Sequence, residues 1–98
     1  MDLNKIITKY KNIDALTSKP YLNGVNYIKF AMDVLKETPT AINEMTRVLY
    51  PTIAIYFDTT KSAVERAMYY AKQYFYVAAD AKKTTRALLY YLYVNVIN

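Results

Sequence analysis

The stretch YPTIAIYFDTTKSAVERAMYY, Tyr50 to Tyr70, decides the fold. It divides into a short apolar run from Pro51 to Phe57, a polar break at Asp58-Thr59-Thr60, and a longer run with helical spacing from Lys61. Two helices joined by so short a turn must cross closely, and that needs a small residue at the contact. Ala54 is that residue, with Ile53 and Phe57 facing inward on either side of it. Asp58 falls where the turn requires a left-handed backbone, a conformation that Asp and Asn tolerate better than other side chains. Thr60 is placed to cap the second helix, and Val64 and Ala67 return to the shared core. The stretch therefore reads as a helix-turn-helix.

Burying Val64 and Ala67 turns Lys61, Ser62, Glu65, Arg66 and Tyr69 to the outside. A cation, a hydroxyl, a carboxylate, a guanidinium and a phenol are groups suited to base edges and phosphates. Ser62, Glu65, Arg66 and Tyr69 are the candidate base readers. Thr60 and Lys61, at the start of the helix, are candidate phosphate contacts. The competing reading is an ordinary helical hairpin whose polar face is only solvated.

Working outward, helical spacing covers most of the chain. Leu3, Ile6, Ile7 and Tyr10 share one face of a first helix over residues 2–10. Asp14 to Pro20 read as a connector. Asn23 is expected to cap a second helix running to about Lys36, with Tyr27, Ile28, Ala31, Met32 and Leu35 facing inward. Thr38-Pro39 reads as the start of a third helix carrying Ile42, Met45, Val48 and Leu49 inward. Pro51 would cost a continuous helix about 3 kcal/mol, so a helix end near Tyr50 and a new start at Pro51 are expected. The run from Lys61 keeps its period through Phe75 and Ala78, Asp80 to Thr84 form a polar break, and a last helix covers Thr85 to Val96. The expected architecture is all-α: a single domain over residues 1–98, with five or six helices and no strand.

Composition agrees. One Gly and three Pro in 98 residues are too few for the turns of a sandwich or barrel. Lys and Arg outnumber Asp and Glu by 13 to 8, and the resulting net charge of +5 suits an anionic partner. Neither Cys nor His occurs, so thiol chemistry, disulfides and the usual zinc ligands are excluded. A single glycine cannot build a phosphate-binding loop, and no carboxylates pair in a catalytic motif. Neither an enzyme nor a cofactor or small-molecule substrate is expected. With no signal peptide and no apolar run near 20 residues, a cytoplasmic protein without a membrane partner is expected. Lys82, Lys83 and Arg86 around the start of the last helix are further candidate phosphate contacts, because helix N-termini attract phosphate. The tyrosine-rich tail, Tyr90 to Tyr93 with Tyr74 and Tyr76, reads as core packing or as a homodimer surface.

The run TRVLYPTIAIYFDTTKSAVERAMYYA resembles the C-terminal effector domain of the sporulation phosphorelay response regulator of endospore-forming bacteria. Thr46, Val48 to Pro51, Ile53, Ala54, Phe57, Thr59, Thr60, Ser62, Val64 to Ala67 and Ala71 carry the likeness, which extends upstream to Gly24, Tyr27, Ile28 and Ala31. The resemblance implies a helix entering the major groove of double-stranded DNA, with Glu65 and Arg66 touching bases. Glu accepts from cytosine N4 and Arg pairs with guanine O6 and N7. It departs from the family at Ala63, where the family carries Arg, and at Tyr69 and Tyr70, where the family carries Arg and His. The loop before the last helix is shortened to Asp80-Ala81-Lys82-Lys83. With no receiver domain ahead of residue 1, a phosphorylation switch is not expected. A bacterial transcriptional regulator, or a DNA-binding accessory protein of a plasmid or phage that binds alone, in tandem or as a homodimer, fits these features. The alternative is a protein-interaction module that has kept the fold and lost specific DNA reading.

Overall fold

Asp2 opens the fold by accepting hydrogen bonds from the backbone N–H groups of Asn4 (3.0 Å) and Lys5 (3.3 Å), which caps the first helix. The computed structural model describes residues 2–97. Five α-helices follow in order: α1 (Leu3–Lys9), α2 (Asn23–Glu37), α3 (Tyr50–Tyr56), α4 (Lys61–Lys72) and α5 (Thr85–Leu92). Short 3-10 turns at Lys11–Leu16, Pro39–Asn43 and Ala79–Lys82, and wider π turns at Met45–Leu49 and Tyr93–Ile97, link or extend them. No strand is present among the described residues; one isolated antiparallel bridge joins Thr17 to Phe75. None of the helices is long and apolar enough to cross a membrane.

The centre of the molecule is α2. Val25, Ile28, Ala31 and Met32 are fully enclosed, and its most extensive partner is α4. Val64, Met68 and Ala71 of α4, Ile53 of α3, and Leu88, Leu89 and Leu92 of α5 complete the core. Burying each large aliphatic side chain is worth about 1.5–3 kcal/mol, so the inner stripes hold the helices together. Tyr27 and Phe30 of α2 meet Phe57 edge-on, with ring centroids 4.9 and 5.7 Å away, and this pins the end of α3 to α2.

Several local expectations are corrected. Asn23 is the first residue of α2 and not its cap: Leu22 holds the cap position and supplies no side-chain hydrogen bond. The helix expected from Pro39 is a 3-10 turn and a π turn separated at Glu44. Pro51 does not start a separate helix. The π turn Met45–Leu49 runs directly into α3, with Tyr50 N–H donating to the Met45 carbonyl five residues back. That wider turn makes room for the pyrrolidine ring, and at the second position of α3 its missing N–H costs nothing. Val48, expected inside, is exposed.

The period read through Phe75 and Ala78 does not prolong α4, which stops at Lys72. Phe75 is buried from the loop that follows, with Thr17 beside it. The supposed connector at residues 14–20 contains part of a 3-10 turn and one side of that bridge. The last α-helix ends at Leu92, and its outer Tyr90 is exposed, so it is apolar on one side only.

Candidate nucleic-acid interface

The turn between α3 and α4 is built as the sequence requires. Asp58 is the only non-glycine residue with positive φ among the described residues, at 52°. The Asp58 N–H donates to the Ile55 carbonyl (3.3 Å) and the Thr59 N–H to the Ala54 carbonyl (3.0 Å), a pattern that satisfies the last carbonyls of α3. Thr60 Oγ1 then accepts from the Ala63 N–H at 3.1 Å and caps α4. Ala54 is buried beside this turn, as its small size predicts.

A close approach fixes how α4 sits on the body. Gly24 of α2 lies against the backbone of α4: a Cβ there would strike the Ala67 carbonyl oxygen and come within 2.7 Å of its carbon and 2.8 Å of Ala71 Cβ. The single glycine of the chain therefore serves helix contact, not turn formation. At the far end of α4, Lys82 Nζ donates to the carbonyls of Phe75 (2.9 Å) and Gln73 (3.3 Å), and Lys72 Nζ donates to the Lys82 carbonyl (3.2 Å). Lys82 thus holds the chain just past the end of α4, at the cap residue Gln73 and at Phe75, and Lys72 ties that end to the segment before α5.

With α4 held at its start, back and end, its outer face carries Lys61, Ser62, Glu65, Arg66 and Tyr69, all exposed. Ser62, Glu65, Arg66 and Tyr69 line one open cleft of about 380 Å³ together with Tyr50 and Thr85. An adjoining cleft adds Thr46, Lys83, Thr84 and Arg86, so the base-reading candidates and two phosphate candidates meet along one groove between α4 and the start of α5. Thr84 caps α5 by accepting from the Ala87 N–H at 3.0 Å, with Lys83 just before the cap and Arg86 in the helix's first turn. Neither cation, nor Lys61, Glu65 or Arg66, forms an ion pair among the described residues. Lys82 differs from the other phosphate candidates because its ammonium is engaged by the carbonyls that end α4.

Tyr50 lies under the groove and is almost fully buried. Burial first, and then the negative charge of Glu65, hold its hydroxyl above the usual phenol range, against the opposing pull of Thr85 and Arg86. It therefore remains a neutral hydrogen-bonding group at physiological pH. Sequence reasoning missed Tyr50, Thr46 and Thr85 as groove residues, since the contact between the π turn, α4 and α5 is not local in the chain. The one available signal was Thr84-Thr85 ahead of an apolar run, which is a helix-cap pattern. Lys72, also missed, sits 4.5 Å from the Tyr69 ring centroid and so braces that side chain from the next turn.

The family model described as "Sporulation initiation factor Spo0A C terminal" matches residues 10–95, nearly the whole of the chain. The match takes in all five candidate phosphate contacts and all four candidate base readers, as well as the Gly24 contact and the cap of α5. The chain belongs to this family, the DNA-binding domain of a sporulation response regulator.

Proposed function

We propose that this protein reads duplex DNA in a sequence-specific manner by laying α4 in the major groove. Glu65 and Arg66 are the principal base readers: Arg66 pairs with guanine O6 and N7, and Glu65 accepts from cytosine N4. Ser62 and Tyr69 contact neighbouring base edges. Lys61 and Thr60 at the start of α4, and Lys83 and Arg86 at the start of α5, contact the phosphate backbone. Lys82 contributes by closing α4. The carrying observation is that the outer face of a helix fixed on its other sides presents these groups without internal ion-pair partners. Acting in the bacterial cytoplasm, such a domain serves as a transcriptional regulator or as a mobile-element accessory protein.

Binding-site selection from random duplexes, followed by affinity measurements against salt, tests this reading. The wild type should return a defined motif, and its affinity should fall steeply as salt rises because phosphate contacts release counterions. Arg66→Ala should cost about 1–3 kcal/mol on the preferred site and relax preference at one position, whereas Lys61→Ala should weaken all sequences alike. Absence of binding at low salt, or an Arg66→Ala variant that selects the same motif with the same affinity, overturns the proposal. The second of those results favours an interaction module, a reading that the strongly exposed Ile55 on α3 supports.

A further inference from the structure

A second cluster of polar aromatic and cationic groups borders α4 on the side away from Lys83 and Arg86. At about 100° per residue, Tyr70 lies about 140° around the α4 axis from Glu65 and about 40° beyond Arg66, so it borders the outer face on the flank opposite Glu65. Tyr74 Oη donates to Tyr70 Oη at 3.1 Å, and their rings pack edge-on with centroids 5.4 Å apart. Lys19, from the segment before α2, places its ammonium 4.1 Å from the Tyr74 ring centroid.

The segment carrying Lys19 is well anchored. Thr17 Oγ1 and the Ser18 N–H both donate to the Tyr74 carbonyl (2.9 and 3.0 Å), and the Tyr76 N–H donates to the Leu16 carbonyl (2.7 Å). The Lys19 N–H donates in turn to Thr17 Oγ1 at 3.2 Å. Lys19 forms no ion pair among the described residues. The core does not use this arrangement: Tyr70 is exposed, and neither Lys19 nor Tyr74 belongs to the buried set.

A helix lying in the major groove has a phosphate strand on each side. Lys83 and Arg86 serve one strand. We propose that Lys19, with the hydroxyls of Tyr70 and Tyr74, forms a contact for the sugar-phosphate backbone of the opposite strand, so that α4 is clamped from both flanks. The ammonium supplies the charge, and the Tyr70 hydroxyl, which accepts from Tyr74 Oη and so keeps its own proton free, supplies a donor to phosphate oxygen. This assignment rests on the major-groove reading of α4, and it concerns a part of the chain distant in sequence from the helix-turn-helix.

Phosphate-ethylation interference and salt titration on the wild type, Lys19→Gln and Lys19→Arg test it. Ethylation on both strands should block wild-type binding, and Lys19→Gln should lose the interference on one strand alone. A slope of about 0.9 per phosphate makes one contact worth about eightfold in affinity at 0.1 M salt, relative to 1 M, so Lys19→Gln should bind every duplex about eightfold more weakly with the slope reduced by about one. Its selected motif should be unchanged, and Lys19→Arg should restore the slope. The double variant Tyr70→Phe/Tyr74→Phe should weaken binding without changing the slope. If the wild type binds a defined motif but Lys19→Gln keeps its affinity, slope and two-strand interference, the second clamp is refuted while the reading of α4 stands. If the wild type binds no duplex, both fall together.

Discussion

Gly24→Ala tests the seating of α4 more sharply than any substitution in the groove. In an ordinary helix interior this change is stabilising by about 1 kcal/mol, because alanine has less backbone entropy to lose. At position 24 the added Cβ would strike the Ala67 carbonyl oxygen and lie 2.7 Å from its carbon and 2.8 Å from Ala71 Cβ. The first two of these atoms are backbone and cannot swing aside, so α2 and α4 must part by roughly 1 Å at their main contact. Overpacking of that kind costs about 1–3 kcal/mol. After the helix-propensity gain, a net loss of up to about 2 kcal/mol is expected. For a domain of this size that lowers Tm by up to about 16 °C, readable by circular dichroism at 222 nm. The displaced helix should also bind DNA more weakly at temperatures where the variant is fully folded. A Gly24→Ala protein that melts at or above the wild-type temperature would show that α2 and α4 do not meet at this residue.

Other consequences follow from the turn and from α1. Asp58 sits at φ 52°, so Asp58→Gly should preserve or slightly raise Tm while Asp58→Val lowers stability by about 1–2 kcal/mol; equal melting of the two variants would remove the left-handed turn from the account. Burial, followed by the hydrogen bond to Asp33 (3.0 Å), holds the Tyr10 hydroxyl well above the usual phenol range. Above about pH 10 the unfolded chain then releases this proton and the folded one keeps it, so Tyr10 makes stability fall by up to about 1.4 kcal/mol per pH unit. Urea unfolding between pH 8 and 11 should show a shallower alkaline loss in Tyr10→Phe, and an identical slope would refute the assignment.

What was legible in the sequence was whatever is decided within a few residues. The left-handed Asp58, the Thr60 cap and the buried Ala54 each follow from local backbone chemistry, and each is present. What was not legible depends on distant partners. Pro51 looked like a boundary because the cost of proline in a regular helix is known, while the widened turn that accommodates it leaves no mark in composition. Phe75 kept the period of α4, yet Thr17, 58 residues earlier, draws it into a loop. Lys29, whose charge suggests an exposed position, is buried in α2 against Asp14. Lys82 looked like a phosphate contact by its place near a helix start, and the geometry engages it in ending the previous helix. At Pro51 the missing information was the local widening of the turn, and in the other cases it was a partner elsewhere in the chain.

The same division explains how the chain can belong to its family while departing from it on the proposed reading surface. The atoms that orient α4 are Gly24 and the Ala67 backbone behind it, the Asp58 turn and Thr60 at its start, and Lys72 and Lys82 at its end. Ala63, Tyr69 and Tyr70 are absent from that set. Tyr69 and Tyr70 are exposed and Ala63 is only half-buried, so exchanging the family's Arg, Arg and His at these positions leaves the supports of α4 untouched. On the proposed function, the departures read from the resemblance put a methyl and two phenols where three groups able to carry positive charge are expected, which would lower the electrostatic share of binding and leave more of the phosphate contact to cations elsewhere along the rim. Lys19 stands beside Tyr70 and Tyr74, the flank where the family's basic side chain is missing. On the proposed geometry, charge removed from the helix itself is supplied from the segment packed against its end.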